Sequence, residues 1–431
     1  MNGFVVMINQ LLRNGFFFMA TGMLFVFHCA LQNGKKMIGE GKLKLQIVWD
    51  GRRICAVTVH STRPILACRM FEGRPAAQVL SGISLLYGIC GRAQTVAAAA
   101  ALECAADRPA HVAVGRLREL AVVAECAQEH LWRLLVDLPV LLGESALVAR
   151  FVPMRQRFED LRARAGTDWW KRIGSIEELR AWRVLADDLD AFLESELFGM
   201  APARFLELAN EDDLAAWMRG GRGLAAPLLA RLQEVAPARD ENGDVTLFAL
   251  PSAQVLTGSI AAAIAASDAF VAAPELAGAP AEGGALAREA GMPALAARLA
   301  RRGRSVGLRV FARLVELARL GERMRAISRG LQSVSWLCMG RDDTGAGLAA
   351  VETARGVLIH RAELEGERVR RYRIVAPTEW NFHPRGAFVR GLTGLSVRAR
   401  SEARRAAALL AHALDPCVAY ELNLETVAGR S

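Results

Sequence analysis

The chain has 431 residues, 52% hydrophobic and 23% charged, which excludes a disordered segment and leaves room for one large domain or two ordinary ones. Its net charge of +9 comes mostly from arginine. These arginines sit among acidic neighbours, as in Arg116–Glu119 and Glu177–Arg183, and only 6% of residues are aromatic, so no nucleic-acid partner is expected. Eight cysteines (Cys29, Cys55, Cys68, Cys90, Cys104, Cys126, Cys338 and Cys417) are dispersed without a CxxC pair or zinc spacing. That argues against a disulfide scaffold and for a reducing cytoplasm, with most thiols acting as small buried hydrophobes.

Gly15 to Leu31 is an apolar run broken only by Thr21 and His28, lying between Arg13 and Lys35-Lys36. It is shorter than the ~20 residues a bilayer span requires. It reads either as a signal peptide or membrane anchor, or as a stretch ahead of a true start at Met37. The second reading is favoured. Residues 1–36 are then an extension and 37–431 the domain, with a membrane partner expected only if residues 15–31 are native. Lys42 to Trp49 alternates polar and apolar, which predicts a half-buried strand, and Asp50-Gly51 turns it into a return strand at Ile54–Val59. A helix is expected from Pro75, a break at Gly88 and Gly91 around Cys90, and an alanine-rich helix over Ala93–Ala106. Leu117–Leu142 reads as a long helix bent at Pro139. Arg150 to Phe248 is helix-rich, Ala272–Gly284 a loop, and Leu286–Arg329 helix in one or two segments. Val357–Leu364 and Arg368–Val375 form a hairpin about Glu365-Gly366, and a last helix over Ser401–Leu414 ends at Asp415-Pro416. The expected fold class is mainly α with small antiparallel β hairpins. No phosphate loop, Ser–His–Asp pattern or HExxH spacing occurs, and a lone histidine such as His130 is expected to be a satisfied helix residue.

Four segments carry a further signal. They are Gly39-Glu40-Gly41-Lys42-Leu43; Gly88-Ile89-Cys90-Gly91-Arg92-Ala93; Glu352-Thr353-Ala354-Arg355-Gly356-Val357-Leu358-Ile359-His360 with Tyr372-Arg373-Ile374-Val375-Ala376-Pro377-Thr378-Glu379-Trp380-Asn381; and Asp415-Pro416-Cys417-Val418-Ala419-Tyr420-Glu421-Leu422-Asn423. In this order they resemble the R-I-E-G-H-L, R-I-C-G-V-C, E-A-P-R-G-x-L-x-H with Y-x-x-V-x-P-[ST]-x-W-N, and D-P-C-x-x-C-x-x-H segments of nickel–iron hydrogenase large subunits. Glu282–Arg288 is a weaker echo of E-x-G-P-L-A-R.

The resemblance implies a large-subunit-like fold. It places Glu40 on a proton-relaying glutamate, Arg355 over the iron ligands, Pro377 and Thr378 beside a cyanide, and Cys90 and Cys417 on the first cysteine of each pair. Departures are Lys42 and Ala97 for histidines, Gly88 for an arginine, Ala354 for a proline, Ala93 and Tyr420 for the second cysteines, and Asn423 for the histidine at the maturation cleavage point. A nickel–iron centre needs four thiolates, and the two lost here are the bridging ones. No nickel and no hydrogen cleavage are therefore expected, and the chain should not be an enzyme. The implied role is an accessory protein of hydrogenase maturation that transiently holds iron with cyanide and carbon monoxide ligands. Its metal residues would be Cys90 and Cys417, with Arg355, Pro377, Thr378 and Glu40 around the cofactor. Implied partners are HypC- and HypD-like maturation chaperones and the hydrogenase large-subunit precursor. The surviving cysteines correspond to terminal nickel ligands, so either they turn toward iron or the fragment is held elsewhere. The alternative is a structural subunit of a hydrogenase- or complex I-like electron-transfer complex. Asp415-Pro416 is also expected to start a helical turn that lowers the Cys417 pKa.

Overall fold

The computed structural model describes residues 41–426 apart from Leu66, Ile89, Ala209, 238–244 and 332–334. The apolar run at 15–31 and Glu40 lie outside the described residues. Strand β1 (Leu43–Trp49) turns Leu43, Leu45 and Ile47 into the core and Lys44 and Gln46 outward, as its alternation predicts. It pairs antiparallel with β2 (Ile54–Ser61) across a turn in which the Asp50 carboxylate accepts from the Arg52 and Arg53 amides. Helix α1 (Ala76–Leu86) follows, with Pro75 one position ahead of its first residue.

Helix α2 (Gly91–Ala105) buries Ala97 to Ala101 on every side. Alanine lets its backbone lie close to a sheet. Gly347 completes the fit, because a Cβ there would overlap the Ala101 carbonyl oxygen and the Ala105 amide. Helix α3 (Val112–Trp132) starts five residues before its expected position (117 − 112) and runs through one wider π-type turn at Arg133–Asp137 into Leu138–Leu141. The turn absorbs the amide that Pro139 lacks. Helices α4 (Val148–Ala165) and α5 (Ile176–Phe192) come next, the latter opened by a capping box between Ser175 and Glu178.

The stretch at 272–284, expected to be a loop, instead holds a short hairpin. Strand β3 (Thr246–Leu247) pairs with β5 (Ala279–Glu282), which also pairs with β4 (Glu275–Leu276). Ala277 and Gly278 at positive φ make its turn, and a non-glycine residue there leaves no compositional trace of it. Residues 286–329 form three helices rather than one or two: α6 (Ala285–Glu289), a helix over Pro293–Arg302, and the buried α7 (Val306–Arg329). Pro293 and Gly303 supply the breaks.

The antiparallel sheet β6 (Leu337–Arg341), β7 (Gly347–Thr353), β8 (Gly356–Glu365) and β9 (Arg368–Val375) contains the expected hairpin at its β8–β9 edge. Alternate residues of its central strands feed two cores. Leu358 and Ala362 point into the main one; Val357 and Ile359 join a second with Phe248, Ile260 and Trp380. Helix α8 (Pro377–Asn381) and helix α9 (Arg400–Leu414) lead to β10 (Tyr420–Thr426), which pairs parallel to β1 from Leu43↔Tyr420 onward. The mainly helical architecture with small sheets agrees with expectation, but the N-terminal hairpin proves to be three-stranded, closed by the other end of the chain. Among the described residues no helix is long and apolar enough to cross a membrane.

Candidate functional site

Asn381 brings three of the distant segments together. Its side-chain amide donates to the carbonyls of Arg355 (2.9 Å) and Leu414 (3.1 Å), and its oxygen accepts from the Gly283 amide (2.8 Å). It is buried at the end of α8, so these bonds are shielded from water. Gly283 and Gly356 must both be glycine here, since their backbones cross closely enough that a Cβ on Gly356 would lie 2.9 Å from Gly283 Cα.

Arg355 sits in the β7–β8 turn, where the Thr353 hydroxyl accepts from its amide (3.1 Å). Its guanidinium is buried and donates to Glu129 of α3 (2.7 Å) and Asp415 (3.2 Å). Asp415 ends α9 at φ 56° and is also bridged by Arg133 (2.7 Å) and, at 3.7 Å, by Arg313. Burial alone would raise its pKa, but Arg133, Arg355 and Arg313 together hold it below the usual carboxylate range. Cys417 lies in a bend. The helical turn expected at Asp415-Pro416 does not form, because Asp415 takes the left-handed backbone that stops α9 and β10 begins at Tyr420. Pro377 begins α8, and the next residue, Thr378, holds Cys417 twice: its hydroxyl accepts from the Cys417 amide (3.1 Å) and lies 3.0 Å from the sulfur.

Cys90 occupies the N-cap of α2, with Gln94 Nε2 3.8 Å from its sulfur. Burial pushes the Cys90 thiol well above its ordinary range; Cys417 and Glu125 add to this, and Arg355 and Gln94 oppose it. The two cysteines thus come within electrostatic reach of each other and of Arg355. Cys90, Cys417, Arg355, Pro377 and Thr378 are gathered in one region. The nickel–iron centre does not fit it: Ala93 is fully buried in the first turn of α2 and Tyr420 is the first residue of β10, so neither bridging sulfur has a substitute.

Other participants carry no local sequence signal. Arg63 donates to Glu379 at 2.5 Å, and although burial opposes its charge, that carboxylate keeps its guanidinium protonated. It gives the thiol region a second cation beside Arg355. Gln94 continues to His360 (2.9 Å) and on to Tyr372 (2.8 Å), and burial pushes the His360 pKa down to about 3, so that ring is neutral. Glu125 accepts from the Arg92 and Ala93 amides at the start of α2 (2.8 and 3.1 Å). Burial pushes its pKa up to about 7, with those two amides opposing.

A separate buried trio joins α3 to α7. His130 Nε2 lies 2.7 Å from Glu316 and 3.4 Å from the Cys126 sulfur. Arg288 already grips both Glu316 oxygens (2.6 and 2.7 Å), so the trio reads as part of an ion-pair network; His130 is a core residue, but it is not fully satisfied as expected, because its Nδ1 is buried without a partner among the described residues.

Residues 285–421 match the family profile of nickel-dependent hydrogenases. In structure, the chain resembles an NAD+-reducing [NiFe]-hydrogenase (TM-score 0.57, 18% identity, 88% of this chain and 95% of that one). It also resembles the Ni-Fe-Se hydrogenase of D. vulgaris Hildenborough (TM-score 0.56, 13% identity, 85% and 94%). In sequence it is 33% identical to the hydrogenase expression/formation protein HupK of Rhizobium leguminosarum bv. viciae, covering 91% of this chain and 99% of that protein. It is 30% identical to HoxV of Cupriavidus necator (86% and 94%) and 31% identical to HupK of Azotobacter vinelandii (89% and 98%). A large-subunit frame without bridging thiols, matched nearly end to end by these relatives, belongs to the HupK/HoxV family of hydrogenase expression/formation proteins.

Proposed function

We propose that this protein serves hydrogenase maturation as a scaffold, holding an iron fragment with cyanide and carbon monoxide ligands at Cys90 and Cys417 for transfer to the large-subunit precursor. The observation that carries this reading is selective: two thiols from distant segments converge beside Arg355, Arg63 and Thr378, while both bridging positions are filled by Ala93 and Tyr420. Thiolates suit a soft iron, and the guanidiniums and the hydroxyl supply donors for cyanide nitrogens. Two thiolates bind more weakly than four, which permits release. HypC- and HypD-like chaperones in the cytoplasm are the partners that would deliver such a fragment.

The test is infrared spectroscopy and iron analysis of protein purified anaerobically from hydrogenase-producing cells. Cyanide and carbon monoxide stretches are expected, and they should vanish in Cys90→Ser and Cys417→Ser while both variants melt normally. Cys104→Ser and Cys126→Ser, which alter buried helix-packing thiols, should keep the bands. Full iron content and normal hydrogenase maturation in both site variants would refute the thiolate-carrier reading.

A further inference from the structure

A buried row of hydrogen bonds runs from the four-stranded sheet to the Cys90 sulfur. It consists of Tyr372 on β9, His360 on β8 and Gln94 near the start of α2, and all three side chains are buried. The Tyr372 hydroxyl lies 2.8 Å from His360 Nδ1, His360 Nε2 lies 2.9 Å from Gln94 Oε1, and Gln94 Nε2 lies 3.8 Å from the sulfur. Among the described residues the Cys90 sulfur has no other hydrogen bond. The helix backbone is otherwise engaged: Glu125 takes the Arg92 and Ala93 amides, and the Gln94 backbone amide bonds the Cys90 carbonyl (3.0 Å).

The direction of every bond in the row follows from its far end. Burial keeps the His360 ring neutral, so one ring nitrogen carries a proton and the other accepts one. Burial also keeps Tyr372 a neutral phenol. Its hydroxyl has no partner besides His360 among the described residues, and a buried donor left unpaired is costly. Tyr372 therefore donates to Nδ1, and the ring proton sits on Nε2. A protonated Nε2 needs an acceptor, which the Gln94 side-chain oxygen provides and its nitrogen cannot. That leaves the nitrogen end facing Cys90. The reverse order, with the Gln94 side chain turned over, sets a carbonyl oxygen against the sulfur and strands the Tyr372 proton.

We infer that Tyr372 and His360 are positioning residues that lock the Gln94 side chain with an N–H aimed at the Cys90 sulfur. The bond is long while the sulfur is a thiol. It strengthens once the sulfur carries negative charge, since charge-assisted hydrogen bonds are roughly twice as strong as neutral ones. The row is thus the outer support of a sulfur ligand, with the donor fixed before the ligand is engaged. It serves Cys90 alone, because the Cys417 sulfur meets the Thr378 hydroxyl. The role toward a metal ligand rests on the scaffold reading; the bond directions do not.

The test begins with the unaltered full-length protein, labelled at its histidine nitrogens for NMR, with the His360 signals assigned by their loss in His360→Gln. Near neutral pH a proton fixed on Nε2 and none on Nδ1 is expected; a proton on Nδ1 would overturn the inference. Tyr372→Phe keeps the ring that packs edge-on against Phe71 and removes only the hydroxyl, so it should release the tautomer and populate both forms. A tautomer unchanged in that variant would show that Tyr372 does not set it. In protein carrying the iron fragment, Gln94→Leu should shift the carbon monoxide stretch to lower frequency, because a sulfur without its hydrogen bond gives more charge to the iron. An unmoved band would overturn the role of Gln94. Unaltered protein without carbon monoxide bands would instead sink the scaffold reading, and the tautomer would then decide this inference alone.

Discussion

Replacing Asn381 with alanine removes the one side chain that bonds all three segments behind the thiol region. Two carbonyls, those of Arg355 and Leu414, and one amide, that of Gly283, lose their partner. Each buried backbone group left unpaired costs about 1–3 kcal/mol. A small cavity beside Asn381 has room to admit water to part of the gap, so the lower end applies, and the sum is about 3 kcal/mol. That is a large share of the roughly 5–15 kcal/mol by which a folded protein is stable. Asn381→Asp tests the chemistry rather than the volume. It keeps an acceptor for Gly283 but turns a carboxylate oxygen toward two carbonyls, and it should cost at least as much as alanine. Urea unfolding measures both, with unchanged slopes showing that the midpoint shift reports stability. An alanine variant that loses less than about 1 kcal/mol would mean that packing alone holds the segments, and the reasoning fails.

Glu125→Gln should stabilise the protein above neutrality. The folded fold raises this carboxyl from 4.5 to about 7, so its stabilising protonated form is fully present below pH 4.5 and lost as pH rises through 7. Gln should therefore gain about 2 kcal/mol at pH 8 and little at pH 5, and parallel pH profiles for the two proteins would contradict this. Asp415→Asn should cost about 3–5 kcal/mol in urea, because three arginines lose their shared buried counter-charge. The sign is opposite to that of Glu125: the Asp415 contribution is present above pH 3.8 and lost in acid below it. Intact-mass measurement should show a C-terminus that is not cut at Asn423, which pairs with Gln46 in the middle of β10; a product ending there would refute the expectation.

The sequence shows different parts of the fold with different clarity. The first hairpin was visible because β1 has one wet face. The β8–β9 hairpin was visible from its Glu365-Gly366 turn, since β8 is buried on both faces and shows no alternation. Strand β10 does alternate, with Glu421 and Asn423 out and Leu424 in, but this is hidden when the same residues are read as a degraded metal motif. Cys90 and Cys417 are 327 positions apart (417 − 90), and only the large-subunit resemblance suggested that they meet. Arg63, Glu125 and Glu129 reach the site from other elements without a fixed spacing to either cysteine, and a long-range ion pair leaves no local periodicity to read.

The start of α2 explains why the Cys90 thiol stays protonated. A cysteine at a helix N-terminus is normally driven toward thiolate by the free amides and the helix dipole. Here Glu125 takes the Arg92 and Ala93 amides for itself and adds a carboxylate beside the sulfur. Together with burial and the neighbouring Cys417, this keeps Cys90 protonated and therefore a poor target for oxidation. Under the scaffold reading, binding a metal fragment must expel that proton, which makes retention weaker as the pH falls. Arg355 and Arg63 are already in place to favour the sulfur charge that then appears. On that reading the site would be costly to load and easy to unload, which is what a carrier requires.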